Sequence, residues 1–209
     1  MFSGRVRTCS PGVTLIEAII ASTISLFILS SMAYVFWARQ LHTERIQARI
    51  DLNQVALTAL GHLKREISES NPVCVDVDQP GSVIFPSPRD LSGDFANLSG
   101  GLLFHKVVCY RLDSTERMLL RQEEALSVPT VDPAEPSAMT PQRSVSYFES
   151  SGLPARVIAR DVDSFQITRQ ELTGDQGFSS RIHLTLGLTR NVRRRSFGIE
   201  VETTIIPQN

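Results

Sequence analysis

Residues 12 to 40 read Gly12-Val13-Thr14-Leu15-Ile16-Glu17 followed by AIIASTISLFILSSMAYVFWARQ, and this stretch decides the fold. No charged residue occurs from Ala18 to Ala38. Between Ala18 and Trp37, fifteen residues are apolar and the other five are small and hydroxylated (Ser22, Thr23, Ser25, Ser30, Ser31). Twenty helical residues rise about 30 Å, the thickness of a bilayer's hydrocarbon core. Tyr34 and Trp37 fall where aromatic side chains line a membrane interface. Arg5 and Arg7 stand before the span on an acid-free stretch, which favours a cytoplasmic N-terminal end and a C-terminal domain outside. Arg39, Arg45 and Arg49 follow the span, so this orientation also rests on long C-terminal domains being translocated largely regardless of charge. A cleavable secretory signal ending near Ser31-Met32-Ala33 is the weaker reading, because the apolar run continues through Trp37 and exceeds the roughly 7 to 15 residues of such signals. A plain signal anchor explains the run but leaves Glu17 unused.

Glu17 sits at the edge of the span, where a carboxylate wants a partner; at the bilayer centre it would cost on the order of 3 kcal/mol. Its simplest role is a capping box, with Thr14 as N-cap and Glu17 at N3 reaching back to the free backbone donors. Ser10-Pro11 offers an alternative helix start.

The run GVTLIEAIIASTISLFIL resembles the N-terminal signature of type IV pilin-like proteins, whose usual form is G-F-T-L-I-E followed by an apolar helix. In that family a membrane-embedded prepilin peptidase cuts after the glycine and methylates the new N-terminus. The resemblance implies that residues 1 to 12 are a leader, that Gly12 precedes the cut, and that Val13, standing where Phe is usual, becomes the N-methylated first residue. It also implies that Glu17 meets the N-terminus of a neighbouring subunit and sets register during assembly. The expected partners are other pilin-like subunits, the prepilin peptidase, an inner-membrane assembly platform and the lipid bilayer. Physically, the cut creates an α-amino cation about four residues, roughly 6 Å of helix, from Glu17. Pairing the two relieves charges that are expensive alone in lipid. Pairing within one helix satisfies the same spacing.

Leu52, Ala56, Leu60, Leu63 and Ile67 recur at helical spacing, while Asp51, Gln54, Thr58, Lys64, Arg65 and Glu69 occupy other faces. This predicts a transmembrane helix over 13 to 38 and an amphipathic continuation over 39 to 70, stopped by Asn71-Pro72; Gly61 is its weak point. A single helix of this extent would measure on the order of 85 Å. Residues 71 to 209 read as a β-rich extracytoplasmic domain. Strands are expected at Val73 to Asp78, Leu102 to Leu112 and Phe165 to Ile167. Two more are expected along Ile182, Leu184, Leu186 and Leu188, with His183 turned to solvent, and along Phe197, Ile199 and Val201, with Glu200 and Glu202 outward. Residues 127 to 144, with Pro129, Pro133, Pro136 and Pro141, predict a mobile loop. The expected fold class is α+β, a long helix packed on an antiparallel sheet. Tyr110-Arg111-Leu112 with Leu119-Leu120-Arg121 is similar to J-type pseudopilins of type II secretion and W-type minor pilins. Glu17 argues against the K-type tip subunit.

Charge is nearly balanced, 21 Lys+Arg against 22 Asp+Glu, so no basic field points to nucleic acid. Loss of Arg5 and Arg7 with the leader would take the formal charge from −1 to −3. The run Arg193-Arg194-Arg195, with Arg190 nearby, reads first as a solvated turn. Cys9, Cys74 and Cys109 make no zinc box, and the four histidines lack ligand spacing. With Cys9 in the leader, Cys74 and Cys109 either pair in an oxidising compartment or stand as buried thiols. No nucleophile and base pair, phosphate loop or usable carboxylate pair occurs, so no enzymatic role, cofactor or metal is expected.

Overall fold

The computed structural model describes residues 14–71, 74–77, 80–90, 93–94, 97–98, 101–131, 143–172, 179–192 and 195–206. The chain divides at Ile46/Gln47 into two units. The described part of the first is helical, the opening of helix α1 (Leu15–Ser68). Its apolar residues stand open on every face: Leu15 is 82%, Phe27 73% and Trp37 58% exposed. The most apolar 18-residue window has mean hydropathy 2.0 and none of it is buried, so α1 is long and apolar enough to cross a membrane.

The second unit begins within α1, which runs through Gly61 without a break. Ala56, Leu60, Leu63 and Ile67 are all buried, as is Leu52, and Ala48 and Ala59 complete the stripe. Spacing of three and four residues aligns them on one side, and each buried leucine or isoleucine contributes about 2 kcal/mol relative to exposure. This stripe shares one core with residues of two antiparallel sheets.

The first sheet follows the order β1 (Ser82–Ser87), β3 (Gly101–Asp113), β4 (Met118–Val131), β5 (Arg156–Arg160), with the short β2 (Asn97–Leu98) on the end of β3. Strand alternation splits it into two faces. Val83, Phe85, Val108, Tyr110 and Leu119 join the core with α1, and Phe85 stacks on Tyr110 with ring centroids 6.0 Å apart. Ile84, Val107 and Cys109 form a second cluster with Cys74 and with Phe148 of helix α2 (Val145–Ser150). The second sheet has the order β6 (Val162–Leu172), β7 (Ser179–Val192), β8 (Arg195–Ile205). Its Phe165, Ile182, Leu184, Leu186, Leu188 and Ile205 enter the same core as α1. The molecule thus has the α+β, pilin-like arrangement: a long N-terminal helix packed on antiparallel sheets.

Three expectations change. The strand anticipated at Val73 to Asp78 is, over its described residues, a single bridge between Asp76 and Ile84; residues 73 and 78 lie outside the described residues. The loop expected from Ser127 starts later, because β4 continues to Val131. Pairing of β3 with β4 jumps from Phe104↔Thr130 to Lys106↔Ala125, so Pro129 falls in an irregularity that asks no ladder bond of it. At the loop's far end Ser144 caps α2; residues 132 to 142 lie outside the described residues. Finally, Arg190, which the sequence sets beside a solvated arginine run, is held by acids, while Arg193 and Arg194 lie outside the described residues. Arg190 Nε donates to Asp161 at 2.7 Å, and Nη1 lies 3.7 Å from Asp51 of α1. Asp161 takes a left-handed φ of 64° at the corner between β5 and β6, a conformation Asp tolerates better than most residues.

Candidate functional site

The first described residues form a reciprocal cap. Thr14 donates from its backbone N and from Oγ1 to Glu17 Oε2, each at 3.1 Å, and the Glu17 amide donates back to Thr14 Oγ1 at 3.3 Å. Ala18 N to Thr14 O, 3.1 Å, is the first helical bond. This is the capping box that Thr-x-x-Glu spacing predicts, and the helix N-terminus favours the carboxylate there. All these donors are neutral. They serve one oxygen's hydrogen-bonding capacity, and among the described residues no cation pairs with the charge, so in lipid Glu17 still favours one. Gly12 and Val13 lie outside the described residues.

Along the rest of the exposed part, most hydroxyls bond to their own helix. Ser22 and Thr23 donate to Ile19 O, and Ser30 and Ser31 to Phe27 O, at 2.6 to 2.9 Å. Such back-bonding removes the cost of placing hydroxyls in an apolar medium.

A second constellation lies in the other unit, where the end of α1 meets the first sheet. Glu66 Oε2 accepts from Tyr110 Oη at 2.8 Å and from Arg121 Nε at 3.1 Å, while Arg121 Nη2 reaches Oε1 at 3.1 Å. Arg121 Nη2 also holds Glu123 Oε2 at 2.9 Å, which Lys106 Nζ approaches at 2.9 Å; Lys106 donates further to Asp90 O. Two acids and two bases alternate, so the buried chain carries no net charge. Burial would lower the Arg121 guanidinium, but Glu66, Tyr110 and Glu123 together outweigh it and the pKa rises, keeping the side chain charged. Burial, then Glu66, pushes the Tyr110 phenol up, so it stays a donor. Glu69 adds a bidentate pair with Arg89 at 2.6 and 2.7 Å.

The opposite face of that sheet has its own clasp. Glu124 receives both Arg143 and Tyr147 Oη, and the Arg143 guanidinium lies 4.3 Å from the Tyr147 ring centre. Gln122 Nε2 donates to Phe148 O and Leu153 O, which seats α2.

Sequence reading anticipated the Thr14–Glu17 cap and singled out Tyr110 and Arg121 only as part of a resemblance. It missed Glu66, although a signal existed: Glu66 adjoins the buried phase at Leu63 and Ile67, and Arg121 and Glu123 share the inward phase of Leu119. Charges on an inward phase ask for one another. Cys74 and Cys109 are both buried and not joined in a disulfide. Both belong to the small core cluster that Ile84, Val107 and Phe148 complete. Burial pushes the Cys109 thiol up to about 12. His183 lies on the side of β7 away from the core and bonds Thr204 Oγ1 at 3.0 Å and Gln170 at 3.3 Å.

No protein-family model, curated protein or solved structure matches the chain.

Proposed function

We propose that the chain is an assembly subunit of the pilin-like class, a minor pilin of a type IV pilus or a pseudopilin of type II secretion. The observation that carries this reading is the build of α1. Its first part is apolar and exposed all round, opens with a carboxylate that among the described residues only neutral donors satisfy, and bonds most of its own hydroxyls. Its last part is fixed to a β-sheet domain. A tether needs the apolar length alone, whereas a subunit that joins a bundle of like helices also needs an acid at a set depth.

On this reading a prepilin peptidase cuts between Gly12 and Val13 and methylates Val13. The new ammonium neutralises Glu17, in the same chain or a neighbour, and so fixes the axial register of the incoming helix. The domain is held outside the inner membrane and presented to other subunits and to the assembly platform. The chain acts by position rather than catalysis, and nucleic acid is not among the proposed partners.

Mass spectrometry of the N-terminal peptide, from protein made beside a prepilin peptidase, tests this directly. The expected species begins with methyl-Val13. A peptide retaining residues 1 to 12 would make the chain a membrane-anchored binding domain, and a start near Tyr34 would make the apolar run a secretory signal.

A further inference from the structure

Just beyond the apolar span, the first unit carries Arg39, His42 and Arg45 at three-residue steps. Each step turns an α-helix by about 60° short of a full circle, so the three side chains share one face within an arc of about 120°. Arg39 and His42 are exposed and Arg45 is half-buried. Among the described residues no ion pair engages any of the three, whereas Arg89, Arg117, Arg121, Arg143 and Arg190 each hold a carboxylate. The acid within the same stretch, Glu44, lies about 160° around the helix from His42. Immediately before them stand Tyr34 and Trp37, 69% and 58% exposed, where interfacial aromatics belong.

Geometry directs these cations toward the membrane. Side chains on a helix lean toward its N-terminus, here toward the end of the span. Arg39 lies about 3 Å and Arg45 about 12 Å beyond Trp37 along the axis. The polar layer outside the hydrocarbon core is about 5 to 7 Å deep on each side, and a leaning arginine stem covers the remaining distance.

We propose that Arg39, His42 and Arg45 form a clamp for the phosphates of anionic phospholipids in the leaflet where the span emerges. Guanidinium groups suit this task, since they meet phosphate oxygens in pairs. The clamp also gives a purpose to cations that stand on the side of the span where the usual charge bias disfavours them. It rests on residues 18 to 38 spanning the bilayer.

Trp37 is the single tryptophan of the chain, and its fluorescence reports which lipid sits beside it. The full-length protein is reconstituted in equimolar phosphatidylcholine and phosphatidylglycerol, with one or the other lipid brominated as quencher. The expected result is quenching by the brominated phosphatidylglycerol at least about twofold stronger than by the brominated phosphatidylcholine, reduced by added salt. The preference should vanish in the Arg39→Gln/Arg45→Gln double variant and persist in Arg39→Lys/Arg45→Lys. Equal quenching in the wild type overturns the clamp and leaves the arginines to an acidic protein partner; a preference that survives the glutamine variant overturns it as well. Absence of quenching by either lipid overturns the span itself, and the clamp with it.

Discussion

Leu15–Ile46 and Gln47–Ser68 are successive parts of one helix, yet Glu17 in the first and Glu66 in the second find their partners in different places. In the first, serine and threonine hydroxyls turn back to carbonyls three or four residues earlier, and Glu17 turns to Thr14. In the second, Asp51 and Glu66, with Glu69 just past the helix end, reach across to Arg190, Arg121 and Arg89. A helix whose polar groups close on themselves suits surroundings that offer no donors. A helix whose acids are completed by another element has its packing partner written into it. The sequence hydropathy of the two parts differs, but the direction of their hydrogen bonds shows the division of labour more plainly.

The comparison breaks most visibly at Glu66. Its side chain is 17% exposed and accepts from both Tyr110 and Arg121. Glu66→Ala leaves the buried Tyr110 hydroxyl unpaired and the Arg121 guanidinium with Glu123 alone, and should cost about 2 kcal/mol or more, read as a lower urea midpoint by near-ultraviolet circular dichroism of the full-length protein in detergent. Leu26→Ala, at a side chain 72% exposed, should leave that midpoint unchanged. If the two variants cost the same, the two parts of α1 are not built differently.

How far the fold could be read from sequence follows from the same contrast. The α1 stripe and the strands β7 and β8 announce themselves because one side of each is apolar and the other is not, and β3 announces itself by the length of its apolar run. Strand β1 does not, since all six of its residues are buried and alternation disappears when both faces are covered; Pro86 further disguises it. Strand β4 hides behind Arg121, Gln122, Glu123 and Glu124, whose polarity suggests a surface although each is completed by a partner across the sheet or on a helix. Glu17 was legible because a capping box is local, whereas the Glu66 chain joins residues 44 and 55 positions apart.

A middling effect separates the two faces of the first sheet. Hydrogen bonds from Arg143 hold the Glu124 carboxyl below the usual carboxylate range, against a smaller opposing effect of burial. On the other face burial opposes ionisation of Glu123, but Lys106 and Arg121 outweigh it and that carboxyl is lowered too. Both groups bind fewer protons folded than unfolded just below the ordinary carboxylate pKa of about 4.3. Their stabilisation is therefore complete above that pH and is lost as pH falls through the lower folded values. Glu124→Gln should flatten this acid slope in unfolding midpoints measured across the window. An unchanged slope would assign the acid sensitivity to Glu123 and the α1 face.

The smallest change in stability should accompany the sharpest change in assembly. A glutamine at N3 supports a capping box as glutamate does, so Glu17→Gln keeps the bonds with Thr14 and alters helix stability by a few tenths of a kcal/mol. What it removes is the charge. Thr14→Ala does the reverse, since it deletes the cap, at about 1 kcal/mol, and keeps the carboxylate. If Glu17 exists to cap, Thr14→Ala is the harmful variant. If it exists to be neutralised by the amine released at Val13, Glu17→Gln should reach the membrane at normal levels and be depleted from purified filaments, while Thr14→Ala is incorporated. Quantifying both variants in membrane and filament fractions decides between a side chain that merely starts a helix and one that sets where that helix stops along its neighbours.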